Sequence, residues 1–262
     1  SGTGAEQIWQ NLQEQGFVER TLPWKYQAWR QEATSRMQAG IYSLEAAETP
    51  MEVIGRFVRG DVSPDELTLT FPEGFTVAQM AARTAGRGIG TEAEFIAAAV
   101  PANFAEQFDF LRTIPAGRDL EGYLFPDTYR VFEDDTPNDV IRRMLGNFTQ
   151  KASSDLITEA EAAGRSLDEI IIMASIIERE VIRDEDMALV SGVLWKRSDE
   201  GMGLDADATI RYAVENWDEP LTAAELAVDS PYNTRKYRGL PPGPISNPGL
   251  RAITAAVRPQ ES

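Results

Sequence analysis

The chain has 262 residues, with 42 acidic against 25 basic side chains, a net charge of −17, no Cys and no His. Such acidity disfavours binding to nucleic acid or to an anionic membrane surface, because both need a basic footprint. The two missing residue types exclude thiol nucleophiles, disulfides, His-containing catalytic triads and Cys- or His-based zinc sites. Proton transfer is therefore left to carboxylates, Lys and Tyr.

Residues 1–65 favour a mixed α/β subdomain. Apolar residues at helical spacing predict helices over Glu6–Gln15, Trp24–Met37 and Pro50–Val58. A strand is predicted over Gly40–Leu44. No stretch of the chain approaches the roughly 20 apolar residues that a membrane-spanning helix requires.

Residues 66–114 predict a small module of one strand and two helices. Apolar and polar residues alternate over Leu67–Phe71, which is typical of a half-buried strand. Two capping boxes then open helices, the first formed by Thr76 with Gln79 and the second by Thr91 with Glu94.

Residues 115–262 predict a helix-rich domain, with a boundary at Pro115–Gly117. Helices are expected after Thr136, after the capping box of Ser166 with Glu169, over Met187–Trp195, and after the capping box of Thr222 with Glu225. From position 231 to position 249, eight of nineteen residues are Pro or Gly, which predicts a loop. The chain as a whole is therefore expected to have an α+β fold.

Glu178 is the first candidate for chemistry. It follows the uncharged run Ile170–Ile177, in which seven of eight residues are apolar, so the helix should be buried all round. A carboxyl group at the end of such a run should be partly desolvated, which raises the pKa toward the range a general acid needs. The alternative is that the helix surfaces there and Glu178 is solvated.

Nearby carboxylates are candidate partners of Glu178. Glu180 lies about 200° round the helix and cannot share its surroundings. Glu185 lies about two turns on and could share its face if the helix continues. Asp205 and Asp207 could bind a metal in principle, but no third ligand follows in the sequence, so we expect neither a metal nor another cofactor.

The loop from Tyr232 to Ile245 is a second candidate site. It offers aromatic rings, an amide and cations, which suit stacking on sugar rings and pairing with carboxylates. The alternative is a connecting loop stiffened by proline. The glycines of Gly86–Gly90 do not lie in a βαβ unit, so a dinucleotide site is not expected there.

Three stretches together resemble the endolytic murein transglycosylase (YceG-like) family. They are Glu121–Tyr129, Ala174–Glu180, and Tyr232–Thr234 followed by Gly239–Ile245 and Asn247–Gly249. Supporting similarity comes from Ala39–Tyr42, Phe71–Thr76 and Asp207–Ile210. The resemblance extends from about residue 3 to residue 257.

The resemblance implies a bacterial lyase that cuts peptidoglycan glycan strands internally, between MurNAc and GlcNAc, and leaves 1,6-anhydro-MurNAc ends. The essential glutamate of the family falls on Glu178, which would act as the single general acid and base. Residues 66–114 would form a LysM-like module. Substrate-binding roles are expected for Glu121, Tyr123, Asp207, Tyr232, Asn233, Thr234, Pro241 and Gly243.

The resemblance also implies a location and partners. Family members are anchored in the inner membrane by one N-terminal helix, which is not found in this sequence, and their catalytic part is periplasmic or extracellular. The partners would be peptidoglycan glycan strands and cell-wall synthases at the membrane. Two other functions stay open: a non-catalytic peptidoglycan-binding or scaffold protein, and a muramidase that uses Glu121 or Asp207 as a second carboxylate.

Overall fold

The computed structural model describes residues 5–14, 18, 22–30, 33, 36–38, 42, 44, 48–61, 66–152, 154–181 and 183–260. The chain divides into two compact units, Ser1–Leu67 and Thr68–Ser262. The boundaries expected at residues 65 and 114, and the LysM-like character of the second segment, stay predictions.

The first unit is built on helices α1 (Ala5–Glu14), α2 (Leu22–Arg30) and α3 (Pro50–Arg59). Helix α3 begins at a Thr49–Glu52 capping box with Pro50 at its first position, and it ends at Gly60, whose φ of 70° is left-handed. A small apolar core joins the helices and includes Trp9, Trp24, Ile54 and Phe57.

Two sequence predictions for this unit differ from the structure or cannot be compared with it. The helix expected over Trp24–Met37 ends at Arg30, and residues 36–38 are not helical. Most of the strand expected over Gly40–Leu44 lies outside the described residues. Before residue 66, the described residues of this unit form helices and no strand.

The second unit contains a two-stranded sheet and the remaining helices, so the chain has an α+β fold. The strands are β1 (Glu66–Thr70) and β2 (Thr128–Phe132). The helices are α4 (Val77–Ala85), α5 (Glu92–Ala98), α6 (Pro137–Lys151), α7 (Ser154–Ala162), α8 (Leu167–Glu180), α9 (Met187–Asp199), α10 (Asp207–Val214), α11 (Ala223–Leu226) and α12 (Leu250–Val257). Short 3₁₀ helices lie at Pro101–Asn103, Asp109–Thr113 and Asp184–Asp186.

Local sequence signals explain where most of these helices begin. The capping boxes expected at Thr76, Thr91, Ser166 and Thr222 are all formed. Helix α6 begins with Pro137 at its first position, and the Asp139 side chain accepts from the N–H of the N-cap residue Thr136 at 3.0 Å.

Helix α8 is the central element of the second unit. Helix α12 packs on it most extensively, and α7, α9 and α10 also contact it. All eight residues from Ile170 to Ile177 are buried, as the uncharged run predicts. None of the described helices is both long enough and apolar enough to cross a membrane.

Candidate active site

Glu178 lies where helix α8 leaves the core. The preceding Ile177 is fully buried, Glu178 and Arg179 are half-buried, and Glu180 is exposed. The expectation of a carboxyl group at the edge of an apolar core is confirmed. The helix ends at Glu180, so the condition under which Glu185 could share the face of Glu178 is not met: Glu185 lies in the next 3₁₀ helix.

One backbone donor binds the Glu178 carboxyl. The N–H of Gly249, the N-cap residue of α12, donates to Glu178 Oε2 at 2.9 Å. Burial raises the pKa of Glu178, and the Gly249 hydrogen bond opposes that rise. The carboxylates of Glu73 and Asp184 raise the pKa of Glu178 further, whereas the Arg251 guanidinium lowers it.

The turn Pro72–Gly74 brings a second carboxylate to this place. Gly74 has a φ of +79°, and its N–H donates to the Asn247 carbonyl at 2.9 Å. A Cβ on Gly74 would lie 3.6 Å from Glu178 Cγ, so the turn runs directly against the catalytic candidate. The left-handed φ explains why glycine stands at this position.

The Glu73 side chain packs on the backbone of Gly249. A Cβ at Gly249 would lie only 1.9 Å from Glu73 Oε1, so the absence of a side chain there makes room for the carboxyl group. Arg251 Nη2 donates to Glu73 Oε2 at 2.8 Å, and Arg251 Nη1 pairs with Asp184 Oδ2. Two carboxylates, Glu73 and Asp184, therefore bind one guanidinium near the end of α8.

Sequence reasoning missed Glu73, Asp184 and Arg251 as site residues. Glu73 lies in the Phe71–Thr76 stretch, and Arg251 follows Gly249 by two residues, so both stand within or beside stretches already singled out. A search for charged residues next to the glycines of those stretches would have found these two. No comparable signal marks Asp184.

Arg179, the residue after Glu178, contacts the first of three neighbouring aromatic rings, those of Trp217, Tyr212 and Tyr232. Its guanidinium lies 4.0 Å from the centre of the Trp217 ring, and its Nη1 donates to the Gly74 carbonyl at 3.4 Å. Burial lowers the pKa of Arg179. The Tyr212 ring lies 6.5 Å from Trp217 and 5.0 Å from Tyr232, centre to centre.

Glu121 is a buried carboxyl group that binds the Asn247 side chain. It accepts from the N–H of Val77, at the first turn of α4, at 3.1 and 3.2 Å, and from Asn247 Nδ2 at 2.7 Å. Burial raises the pKa of Glu121 well above its ordinary value, against the pull of these donors. The structure connects Glu121 to Glu178 through the Asn247–Gly249 segment.

Tyr123 lies in the core of the second unit. Its hydroxyl donates to Asp168 Oδ1 at 2.7 Å, and its ring packs beside Phe110 and Phe148. The Tyr123 side chain has no exposed surface. A substrate-binding role for Tyr123 and for Glu121 stays a prediction; in the described structure both side chains hold internal partners.

The loop 231–249 is fixed to α8 and to the start of α10. Ser175 Oγ, inside α8, donates to the Ile172 carbonyl and accepts from the Ile245 N–H at 3.0 Å. Buried Thr234 accepts from the Ala206 N–H at 3.1 Å. Buried Asn233 donates to the carbonyls of Leu226 and Val228, at 3.2 and 2.9 Å.

The cations of this loop have partners within the chain. Arg235 Nη2 pairs with Asp207 Oδ1 at 2.6 Å, and Lys236 Nζ lies 3.9 Å from Asp229 Oδ1. Arg238 Nη1 donates to the Gly201 carbonyl at 2.7 Å. Asp207 is therefore an ion-pair partner of the loop, at a partly exposed position.

The remaining predicted substrate residues lie along the same loop. Tyr232 is half-buried, whereas Pro241 and Gly243 are buried. A Cβ at Gly243 would lie 2.9 Å from the Tyr232 hydroxyl and 3.0 Å from Arg118 Nε, so glycine allows these groups to meet. Glycan contact by these residues, and by Asp207, Asn233 and Thr234, stays a prediction.

Comparison with known proteins identifies the family of this chain. The model of the YceG-like family matches residues 1–262. The endolytic murein transglycosylase of Streptococcus pneumoniae serotype 2 (strain D39) is 30% identical over 286 residues, which cover 100% of this chain and 51% of that protein. The endolytic murein transglycosylase of Bacillus subtilis (strain 168) is 28% identical over 272 residues and is covered to 75%.

A solved structure shares the fold. The crystal structure of a YceG-like protein from Listeria monocytogenes superimposes with a TM-score of 0.69 at 28% identity, over 97% of this chain and 86% of that chain. This chain spans about half the length of the pneumococcal relative, 51%. The match over the whole sequence shows that the chain belongs to the YceG-like family.

Proposed function

We propose that this chain is the glycan-cleaving part of an endolytic lytic transglycosylase acting on peptidoglycan. The observation that carries the proposal is the half-buried Glu178 carboxyl, which ends a fully buried helix segment and has a pKa raised chiefly by burial. The relatives named endolytic murein transglycosylase support the same reaction class.

In the proposed reaction, Glu178 is the single acid and base. Its protonated carboxyl donates a proton to the glycosidic oxygen as the bond from that oxygen to the MurNAc anomeric carbon breaks. The MurNAc 6-hydroxyl attacks the anomeric carbon and closes the 1,6-anhydro ring. The Glu178 carboxylate then takes the hydroxyl proton, so no water is consumed and the acid is restored.

The Gly249 N–H suits the intermediate stage of this cycle. It donates to Glu178 Oε2 at 2.9 Å, and a hydrogen bond of this kind stabilises the carboxylate that forms after the first proton transfer. Burial favours the protonated form at the start. The two opposing influences suit a group that must both give and take a proton.

Water must be kept from the anomeric carbon, because hydrolysis would otherwise compete with ring closure. We assign the role of a wall to the loop 231–249, which is fixed to α8 through Ser175. Tyr232, Asp207, Pro241 and Gly243 are the proposed glycan-side residues. Glu121, Asn233 and Thr234 would hold the loop in place, because their side chains bind residues within the loop or beside it.

The cellular setting is proposed on the same basis. The enzyme would work outside the inner membrane of a bacterium, held there by a single N-terminal helix, with residues 66–114 as a LysM-like glycan-binding module. Its partners would be glycan strands and cell-wall synthases.

One observation favours a second candidate, a muramidase that uses two carboxylates. Glu73 lies beside the Gly249 backbone that binds Glu178, so a second carboxylate is present near the proposed acid. Hydrolytic glycosidases place two carboxyl groups about 5–9.5 Å apart. Glu73 fits this role better than Glu121, whose carboxyl group is buried and accepts from Val77 and Asn247.

The test is digestion of purified peptidoglycan, with mass spectrometry of the released products. We expect anhydro-muropeptides from the natural sequence and none from Glu178→Gln. Glu180→Gln is the matched control, since Glu180 is on the same helix but is exposed and accepts from the Ala208 N–H. Products with reducing ends would support the muramidase, and binding without any products would support a scaffold protein.

A further inference from the structure

A group of ion pairs at the end of α8 has no part in the proposed proton transfers. The Arg251 guanidinium donates from Nη2 to Glu73 Oε2 at 2.8 Å and from Nη1 to Asp184 Oδ2. Both ends of the guanidinium are thus engaged by carboxylates other than Glu178. The Glu178 carboxyl instead accepts the neutral N–H of Gly249.

Arg251 is close enough to Glu178 for its ion pairs to affect the ionisation of Glu178. Arg251 is the second residue of α12, only two residues after the Gly249 that binds Glu178. A guanidinium paired with Glu178 would favour its ionised form, and an ionised carboxylate cannot donate the first proton. The groups that act on Glu178 electrostatically are Glu73, Asp184, Arg251 and the adjacent Arg179.

The Glu73 side chain is held in this place from two sides. The missing side chain of Gly249 makes room for its carboxyl group, and Arg251 binds the carboxyl oxygen Oε2. The side chains of Glu73 and Arg251 are 37% and 58% exposed. An exposed ion pair contributes little to stability, so stability alone does not account for three charges gathered at this place.

We propose that Glu73 is a positioning residue: together with Asp184 it holds the Arg251 guanidinium away from Glu178, so that Arg251 does not pair with the Glu178 carboxyl group. The proposal rests on the proposed function for its meaning, because a retained proton matters only if Glu178 is the acid. The geometry on which it stands is independent of the reaction.

The deciding measurement is a ¹³C NMR titration of the Glu side-chain carboxyl carbons in the full chain, with Glu178 identified from the spectrum of Glu178→Gln. We expect a lower pKa of Glu178 in Glu73→Gln than in the natural sequence. Arg251→Gln should shift the pKa of Glu178 upward. An unchanged or higher pKa of Glu178 in Glu73→Gln would overturn the proposal.

The matched control is Glu159→Gln. Glu159 pairs at 2.6 Å with Arg258, the residue that follows the last turn of α12. This variant therefore also removes an Arg–Glu pair next to α12. The pKa of Glu178 should not change in this control. Equal unfolding midpoints for Glu73→Gln and Glu159→Gln would show that the two variants fold equally well.

The second readout is the pH profile of glycan cleavage. Above the pKa of Glu178, Glu73→Gln should lose about threefold to tenfold in kcat/KM, whereas below that pKa it should match the natural sequence. An equal loss at every pH would overturn the positioning role, because it would indicate that Glu73 acts on the substrate itself. A natural chain that cleaves no glycan would overturn the proposed function, and the NMR titration would still decide this inference.

Discussion

Two carboxyl groups, the buried Glu121 and the half-buried Glu178, bind the two ends of the segment Asn247–Gly249, and they differ in what surrounds them. Burial raises the pKa of both. Glu121 is 4% exposed and binds Val77 and Asn247, so its acceptor capacity is used inside the protein. Glu178 is half-buried and binds one backbone N–H.

The comparison teaches that a raised pKa is not enough to identify a catalytic acid. Structural carboxyl groups can have perturbed pKa values as well as catalytic ones. A catalytic acid also needs a free face from which its proton can reach a substrate. Of these two groups, only Glu178 combines a raised pKa with partial exposure.

The largest expected effect is a loss of activity in Glu178→Gln that Glu121→Gln does not share. Glu178→Gln should reduce the rate of anhydro-muropeptide release by about 10²–10⁴-fold, because general acid–base catalysis contributes about that much. Glu121→Gln should stay within about tenfold of the natural rate, since Gln resembles the neutral acid in shape. Initial rates on purified peptidoglycan check both, and equal losses would remove the distinction.

The next effect concerns stability, for which we expect Glu121 to matter more than Glu178. Glu121→Ala leaves the Val77 N–H and the Asn247 amide without their buried acceptor. We expect a loss of about 1–3 kcal/mol in the free energy of unfolding. Urea unfolding measures it, with Glu178→Ala as the comparison; a larger loss in Glu178→Ala would contradict the structural role given to Glu121.

A smaller effect is expected from Gly249→Ala. The added Cβ would meet Glu73 Oε1 at 1.9 Å, so the carboxyl group must swing away from Gly249 and disturb its pairing with Arg251. We expect a loss of about tenfold in glycan cleavage near neutral pH, from displaced groups around Glu178. Gly146→Ala in α6 has open space around the new Cβ and should leave the rate unchanged.

The smallest effect is a pH dependence of stability. The folded protein raises the pKa of Glu121 above its ordinary value of 4.5, so the stability linked to its proton is complete below pH 4.5 and is lost as pH rises through the raised pKa. Glu121→Gln has no such proton to lose. From pH 5 to pH 8 the natural chain should therefore lose stability relative to Glu121→Gln. Urea unfolding of both proteins at the two pH values measures this loss. A difference in unfolding free energy that is the same at both pH values would refute the prediction.

Local features of the fold were predictable from the sequence because they depend on neighbouring residues. A capping box needs only the N-cap side chain and the residue three positions later, as at Ser166 with Glu169. The buried run Ile170–Ile177 likewise follows from its own composition. Glu178 could be recognised for the same reason, since it directly follows this run.

The surroundings of Glu178 could not be predicted in this way, because they come from distant parts of the chain. Arg251 and Glu73 are 178 positions apart, and Gly249 and Glu178 are 71 apart. No local sequence pattern predicts that the turn after β1 contacts the start of α12. The sequence also left open where α8 ends, and its end at Glu180 removes Glu185 from the face of Glu178.

In the proposed reaction, Glu178 alone promotes an intramolecular ring closure that consumes no water. Digestion of purified peptidoglycan in H₂¹⁸O, followed by mass spectrometry, distinguishes this ring closure from hydrolysis. We expect 1,6-anhydro-MurNAc ends without ¹⁸O from the natural chain, and no such ends from Glu178→Gln. Reducing ends that carry ¹⁸O would contradict it, and would indicate hydrolysis with Glu73 as the second carboxylate.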